Sequence, residues 1–145
     1  MFKHLLLPSD GSEAAERAAD GALTLAHEHH AHVTALHVIQ PFDLFAYAPD
    51  MVGAATAQYE QQARDQAREV LDAIETRARA LGVPCESRIT VCAQPHEAVI
   101  ATARELGCDL IVMGSHGRRG LAAVLLGSTT QKVLTHCQRP VLVFR

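Results

Sequence analysis

Two glycine-rich clusters stand close together near the C-terminal end of this 145-residue chain: Gly114-Ser115-His116-Gly117 and, nine residues later, Gly127-Ser128-Thr129-Thr130. The run before them, Asp109-Leu110-Ile111-Val112-Met113, reads as a buried strand, and the run after them reads as a helix from Ser128 to about His136. A glycine-rich turn between strand and helix leaves backbone N–H groups unpaired and clear of side chains. Together with the helix N-terminus they form a natural site for an anion, most often phosphate. Glycine lets that anion approach the backbone closely. The pattern is neither a Walker A loop, since no Gly-Lys-Ser/Thr is present, nor a Gly-x-Gly-x-x-Gly turn after the first strand. His116 inside the loop could donate a hydrogen bond to an anion. Arg118 and Arg119 put positive charge beside it, where a guanidinium fork suits phosphate and solvated loop charge is the competing reading.

The elements that must position these groups follow from hydrophobic patterning. Five apolar runs alternate with helical stretches. Lys3 to Pro8, with Leu5, Leu6 and Leu7 in unbroken succession, is too continuous for a sheet wetted on one side, and suits a parallel strand covered on both faces. A helix from Ser12 to about His29 follows, with Ala15, Ala18, Ala19, Ala22, Leu23 and Ala26 on one face. The second strand is Val33 to Ile39. A connection from Gln40 to about Thr56 contains Pro41 and Pro49 as breakers. The longest helix runs from about Ala57 to Leu81, with Glu60/Arg64 and Glu75/Arg79 as i,i+4 pairs on its wet side. Glu86 to Val91 is the third strand. Pro95 opens the next helix and Gly107 closes it, and Val141 begins the last strand. Such alternation implies right-handed crossovers and a doubly wound α/β sheet, which binds ligands beyond the C-terminal ends of its strands where the winding reverses.

The spacing Gly-x2-Gly-x9-Gly-Ser resembles the nucleotide-binding signature of the universal stress protein family, in its ATP-binding branch. Leu7-Pro8-Ser9-Asp10 at the end of the first strand, Leu36-His37-Val38-Ile39 at the end of the second and Arg139-Pro140-Val141-Leu142-Val143-Phe144 as the last strand match it too. The resemblance covers nearly the whole chain. It implies a five-stranded parallel sheet in the order 3-2-1-4-5, Rossmann-like and of the adenine nucleotide alpha hydrolase type. Asp10 and Gly114 would then flank the single crevice of that topology. It implies ATP as ligand, with Gly114, Gly117, Gly127, Ser128 and Thr129 on the triphosphate and His116 near it; Arg118 joins them as a candidate by its charge beside the loop. Pro8, Ser9, Val38 and Met113 would line the adenine side. Asp10 could accept from ribose hydroxyls or help hold Mg²⁺ on the phosphates, or simply cap the first helix with Ser12. Whether ATP, ADP or cyclic AMP is the physiological ligand stays open.

Composition narrows the function classes. Apolar residues make up 48% and charged residues 20%, as in ordinary soluble domains, and one domain spanning 1–145 is expected. A net charge of −3 offers no electrostatic case for nucleic acid. No run is long enough for a membrane span, and Met1-Phe2-Lys3-His4 leads straight into strand residues, which points to the cytoplasm. Cys85, Cys92, Cys108 and Cys137 lack metal or redox spacing and read as reduced thiols. The run His27-Glu28-His29-His30-Ala31-His32 spans a helix end and a turn, so its imidazoles cannot all converge on a metal.

Three function classes compete: a nucleotide-binding stress-response module, a slow ATP hydrolase or phosphoryl-transfer enzyme, and a phosphoacceptor receiver domain. The absence of a lysine from the glycine loop weighs against efficient phosphoryl transfer. The receiver reading fails because Ser9-Asp10-Gly11 and Val91-Cys92-Ala93-Gln94 lack its acidic pair and its acceptor aspartate. Two assembly expectations complete the reading. Val141 to Phe144 forms an apolar sheet edge suited to homodimer pairing, as in the resembled family. The connection from Gln40 to Thr56 carries Phe42, Leu44, Phe45, Tyr47, Met51 and Val52, and is either a cap over the nucleotide or a partner patch.

Overall fold

The computed structural model describes residues 1–42, 52–117 and 126–145. Its strands are β1 (His4–Pro8), β2 (His32–Ile39), β3 (Cys85–Val91), β4 (Leu110–Gly114) and β5 (Val141–Phe144). Its helices are α1 (Glu13–His29), α2 (Val52–Ala80), α3 (Pro95–Glu105) and α4 (Ser128–His136). The strands form one parallel sheet in the order β3-β2-β1-β4-β5.

The period of two along a strand explains why the central strands are apolar throughout. Leu5 and Leu7 pack with Leu110 and Val112 under α1 and α2, against Ala18, Ala22, Leu71 and Ile74. Leu6, Ile111 and Met113 face the opposite side and pack with Val99, Ala103 and Val133 of α3 and α4. The alanine stripe of α1 has no bulk to hold the helix away from the sheet, so its backbone lies close to the strands. Ser12 caps α1 by accepting a hydrogen bond from the Ala15 N–H at 3.3 Å. Gly82 and Gly107 end α2 and α3 in the left-handed region, at φ +67° and +66°.

Two local expectations are corrected. Helix α2 begins at Val52 rather than near Ala57. Its early turns are held from outside: the Tyr59 hydroxyl donates to the Gln40 carbonyl at 2.8 Å, and its ring lies 5.3 Å from that of Phe42. Leu81, just beyond the helix end, is 44% exposed. Among the described residues Glu60/Arg64 and Glu75/Arg79 form no ion pairs. Arg77 instead reaches across to α1 and pairs with Glu16 at 2.8 Å and Asp20 at 2.7 Å. Residues 43–51, the greater part of the proposed cap or patch, lie outside the described residues.

The histidine run disperses. His27 and His29 sit in the last turn of α1, and His30 ends the helix in the left-handed region. His32 opens β2 and stacks on His4, ring centroids 3.8 Å apart. His4 is buried, and its Nε2 lies 2.8 Å from Thr34 Oγ1, which donates to Glu86 Oε1 at 3.0 Å. Asp109, across the sheet, accepts from the Lys3 and His4 N–H groups. Burial first, and the neighbouring His32 second, hold the His4 imidazole below its ordinary value of 6.5. The folded state therefore favours neutral His4 more than the unfolded chain does. This stabilisation is complete above about pH 6.5 and is lost as pH falls through the lower folded value. Thermal melts should thus show a steeper loss of stability from pH 7.5 to 5.5 in the native protein than in His4→Gln; equal slopes would refute it.

Candidate functional site

Because β1 and β4 are neighbours while α1 and α2 cover one face and α3 and α4 the other, the winding reverses between these strands. A cavity of about 720 Å³ opens at their C-terminal ends. Pro8, Ser9 and Asp10 reach it from β1, Val38 from β2, Met113, Gly114, His116 and Gly117 from β4 and the turn beyond, and Gly127, Ser128 and Thr129 from the start of α4. Arg118, and with it Arg119 and Gly120, lies outside the described residues.

At each glycine an added side chain would crowd a neighbour, most severely at Gly114. A Cβ at Gly114 would lie 2.8 Å from the Ala14 carbonyl carbon and 2.9 Å from the Ala15 nitrogen, so the end of β4 touches the first turn of α1. A Cβ at Gly117 would lie 2.5 Å from Asp10 Oδ2, and one at Gly127 would lie 3.0 Å from His116 Cα. The carboxylate of Asp10 is oriented from its own turn, where Oδ1 accepts from the Ser12 N–H at 2.9 Å. Asp10 thus makes a local turn ahead of α1, whose cap is Ser12, with its other oxygen against the glycine loop. Ser9 is buried; its N–H donates to the Leu36 carbonyl, and its Oγ accepts from the Gly11 N–H.

The glycine loop is pinned at both ends. The Ser115 N–H donates to the Phe144 carbonyl at 2.6 Å, and the Gly127 N–H donates to the Ser115 carbonyl at 2.6 Å. Thr130 Oγ1 donates to the Gly114 carbonyl at 2.9 Å, fixing the first turn of α4 to the end of β4. Ser115 Oγ lies 2.9 Å from His116 Nδ1 and orients that ring. The first intrahelical bond of α4 runs from the Gln131 N–H to the Gly127 carbonyl, and Gly127 provides no capping side chain. The N–H groups of Ser128, Thr129 and Thr130 therefore precede the helical ladder and stand at the cavity, where the helix dipole adds positive potential.

Sequence reasoning missed the far wall. Gln94, Pro95 and His96, at the start of α3, line the cavity because β3 ends at the same rim as β1 and β4. Lys132 lines it from α4. The available signal was helical spacing: Lys132 stands four residues after Ser128, on the same face. Among the described lining residues Asp10 is the single carboxylate and Lys132 the single lysine or arginine. A concave, half-apolar site with a cluster of N–H donors that find no partner among the described residues is suited to a phosphorylated small molecule.

Comparison with known proteins identifies one family. A model of the universal stress protein family matches residues 1–145. A universal stress protein of Thermus aquaticus is 35% identical over 146 residues, covering the whole of both chains. Universal stress protein MJ0577 of Methanocaldococcus jannaschii is 30% identical, and the solved MJ0577 structure superposes with a TM-score of 0.85 over 99% of this chain and 96% of that one. A universal stress protein solved in complex with cAMP is 26% identical, with a TM-score of 0.68 over 99% of this chain and 97% of its own.

Proposed function

The chain belongs to the universal stress protein family, and from that premise we propose that it binds ATP in the crevice between β1 and β4 and acts as a stress-response regulatory module. The observation that carries this reading is the run of three N–H groups at the start of α4, without intrahelical partners, beside glycines at which an added Cβ would crowd Asp10 or His116. The cavity, about 720 Å³, lies within the range of nucleotide-sized sites. In this reading Gly114, Gly117, Gly127, Ser128 and Thr129 bind the phosphates, with His116 and Arg118 as further donors. Pro8, Ser9, Val38 and Met113 bound the base. Asp10 holds ribose hydroxyls or a phosphate-bound Mg²⁺, an ion that keeps several waters and asks for only one or two carboxylates. The relative solved with cAMP supports an adenine ligand. Calorimetric titration with ATP should give a saturable single-site isotherm; no heat at millimolar ATP would overturn the proposal.

The glycine loop supplies N–H donors for phosphates but carries no lysine of its own, and the one lysine among the described lining residues, Lys132, comes from α4. Fast phosphoryl transfer asks for a lysine on the reacting phosphates, metal ligands and a group that positions the nucleophile. Occupancy that alters the rim at Gln40, His116 and the α4 start is better matched to a sensor read by a partner protein. All four thiols are free, in keeping with a reducing cytoplasm. Residues 1–145 would work as one nucleotide-binding unit.

The same proposal includes a homodimer along β5. This strand is the sheet edge, Leu142 on it is 40% exposed, and Val141, Val143 and Phe144 are half-buried. Pairing about a twofold axis would satisfy the open backbone and cover those side chains. Light scattering should find a dimer at micromolar concentration and a monomer for Leu142→Arg; a monomeric native protein would refute it.

A further inference from the structure

We propose that Lys132 makes this site sensitive to phosphate charge, so that affinity climbs with the number of phosphates on the nucleotide. The inference rests on the nucleotide reading above and goes beyond it by naming the residue that discriminates among ligands sharing one base.

Three observations carry it. Lys132 lies on α4, four residues beyond Ser128, and lines the cavity. Side chains on a helix lean toward its N-terminus, so the stem of Lys132 leaves α4 toward the turn whose N–H groups stand at the cavity, and its ammonium can reach over that turn. The helix itself is fixed, with Val133 fully buried beside Lys132 and Thr130 Oγ1 bonded to the Gly114 carbonyl.

The electrostatics of the cavity give that cation its role. Helix α3 also presents its N-terminus there, where Gln94 makes no side-chain capping bond and Pro95 has no N–H. Two helix starts thus contribute positive potential from adjacent walls. Asp10 opposes them, and its carboxylate is tied to the Ser12 N–H and packed against Gly117 on the β1 side. Among the described residues Lys132 forms no ion pair and no hydrogen bond, so its charge is not spent within the protein. Backbone N–H groups reward any phosphate that reaches them, whereas a mobile ammonium on a four-carbon stem can follow charge further along the chain of phosphates. A ligand without phosphate gains nothing from it.

The test measures affinities of the native protein, Lys132→Met and Lys132→Arg for ATP, ADP, AMP and adenosine by calorimetry, with Mg²⁺ chelated. The native protein should rank them ATP, ADP, AMP, adenosine. Lys132→Met should lower the ATP-to-adenosine affinity ratio about five- to tenfold, the size expected for one partly solvated charge-assisted contact. Lys132→Arg should keep most of that ratio. A ratio unchanged in Lys132→Met would overturn the inference, as would an equal weakening of all four ligands, which would mark Lys132 as wall packing. In both of those cases the nucleotide reading itself would survive. Failure of the native protein to bind any of the four would overturn both.

Discussion

Valine at Gly127 is expected to lower ATP affinity about a hundredfold while leaving the helical circular-dichroism signal intact, and valine at Gly117 should lower it by somewhat less. A Cβ at Gly127 meets backbone, His116 Cα at 3.0 Å, with Ser115 carbonyl oxygen 3.5 Å away, so the loop must shift to admit it. A shift of even a few tenths of an ångström strains the Gly127 N–H bond to the Ser115 carbonyl and moves the start of α4 with its N–H groups. Each charge-assisted bond from an N–H to phosphate contributes roughly 1.5–3 kcal/mol, so losing one or two of them gives about a hundredfold. At Gly117 the obstacle is the end of a side chain, Asp10 Oδ2, which can rotate away at the cost of its bond to the Ser12 N–H. Calorimetry on the two variants decides: undiminished affinity in both would remove the glycine loop from the site.

The second large effect concerns stability. Gly114→Val should destabilise the fold by about 3 kcal/mol, near the upper end for overpacking a filled core. Gly114 is buried, and the atoms its Cβ would meet are backbone of α1 together with Ala14 Cβ at 3.0 Å. None of these is a flexible side chain. Helix α1 would have to lift from the sheet, undoing the contacts of Ala18, Ala19 and Ala22 that its small residues allow. Urea denaturation should show a lower midpoint with an unchanged slope. A change within about 0.5 kcal/mol, the range of an ordinary surface substitution, would contradict the packing described.

Much of this architecture was legible in the chain because its signals are local. Leu5-Leu6-Leu7 could only be a strand covered on both faces, and the period of two then divides it between the two clusters. Ser12 marks a helix start through its side-chain oxygen, Pro95 and Gly107 mark helix ends through their backbones, and the structure uses all three there. The start of α2 was hidden because Gly53 argues against a helix, while the contacts that hold it come from Gln40 and Phe42, distant in sequence. At the site, the glycine pattern was readable but the reason for Gly114 was not, since the close approach of α1 is a property of packing. Gln94 and His96 reach the cavity only through the strand order. Lys132 was readable from its spacing to Ser128, one turn further along a helix whose full length the sequence shows.

The central claim, that an adenine nucleotide occupies the crevice between β1 and β4, is tested most directly by mapping backbone amide resonances of the isotope-labelled protein during an ATP titration. The amides of Asp10, Gly114, His116, Gly117, Ser128 and Thr129 should shift together and saturate, while those of His4, His32 and Glu86 at the opposite end of the sheet stay in place. Resonances that do not move, or that move at the His4 end and not at the glycine loop, would contradict it.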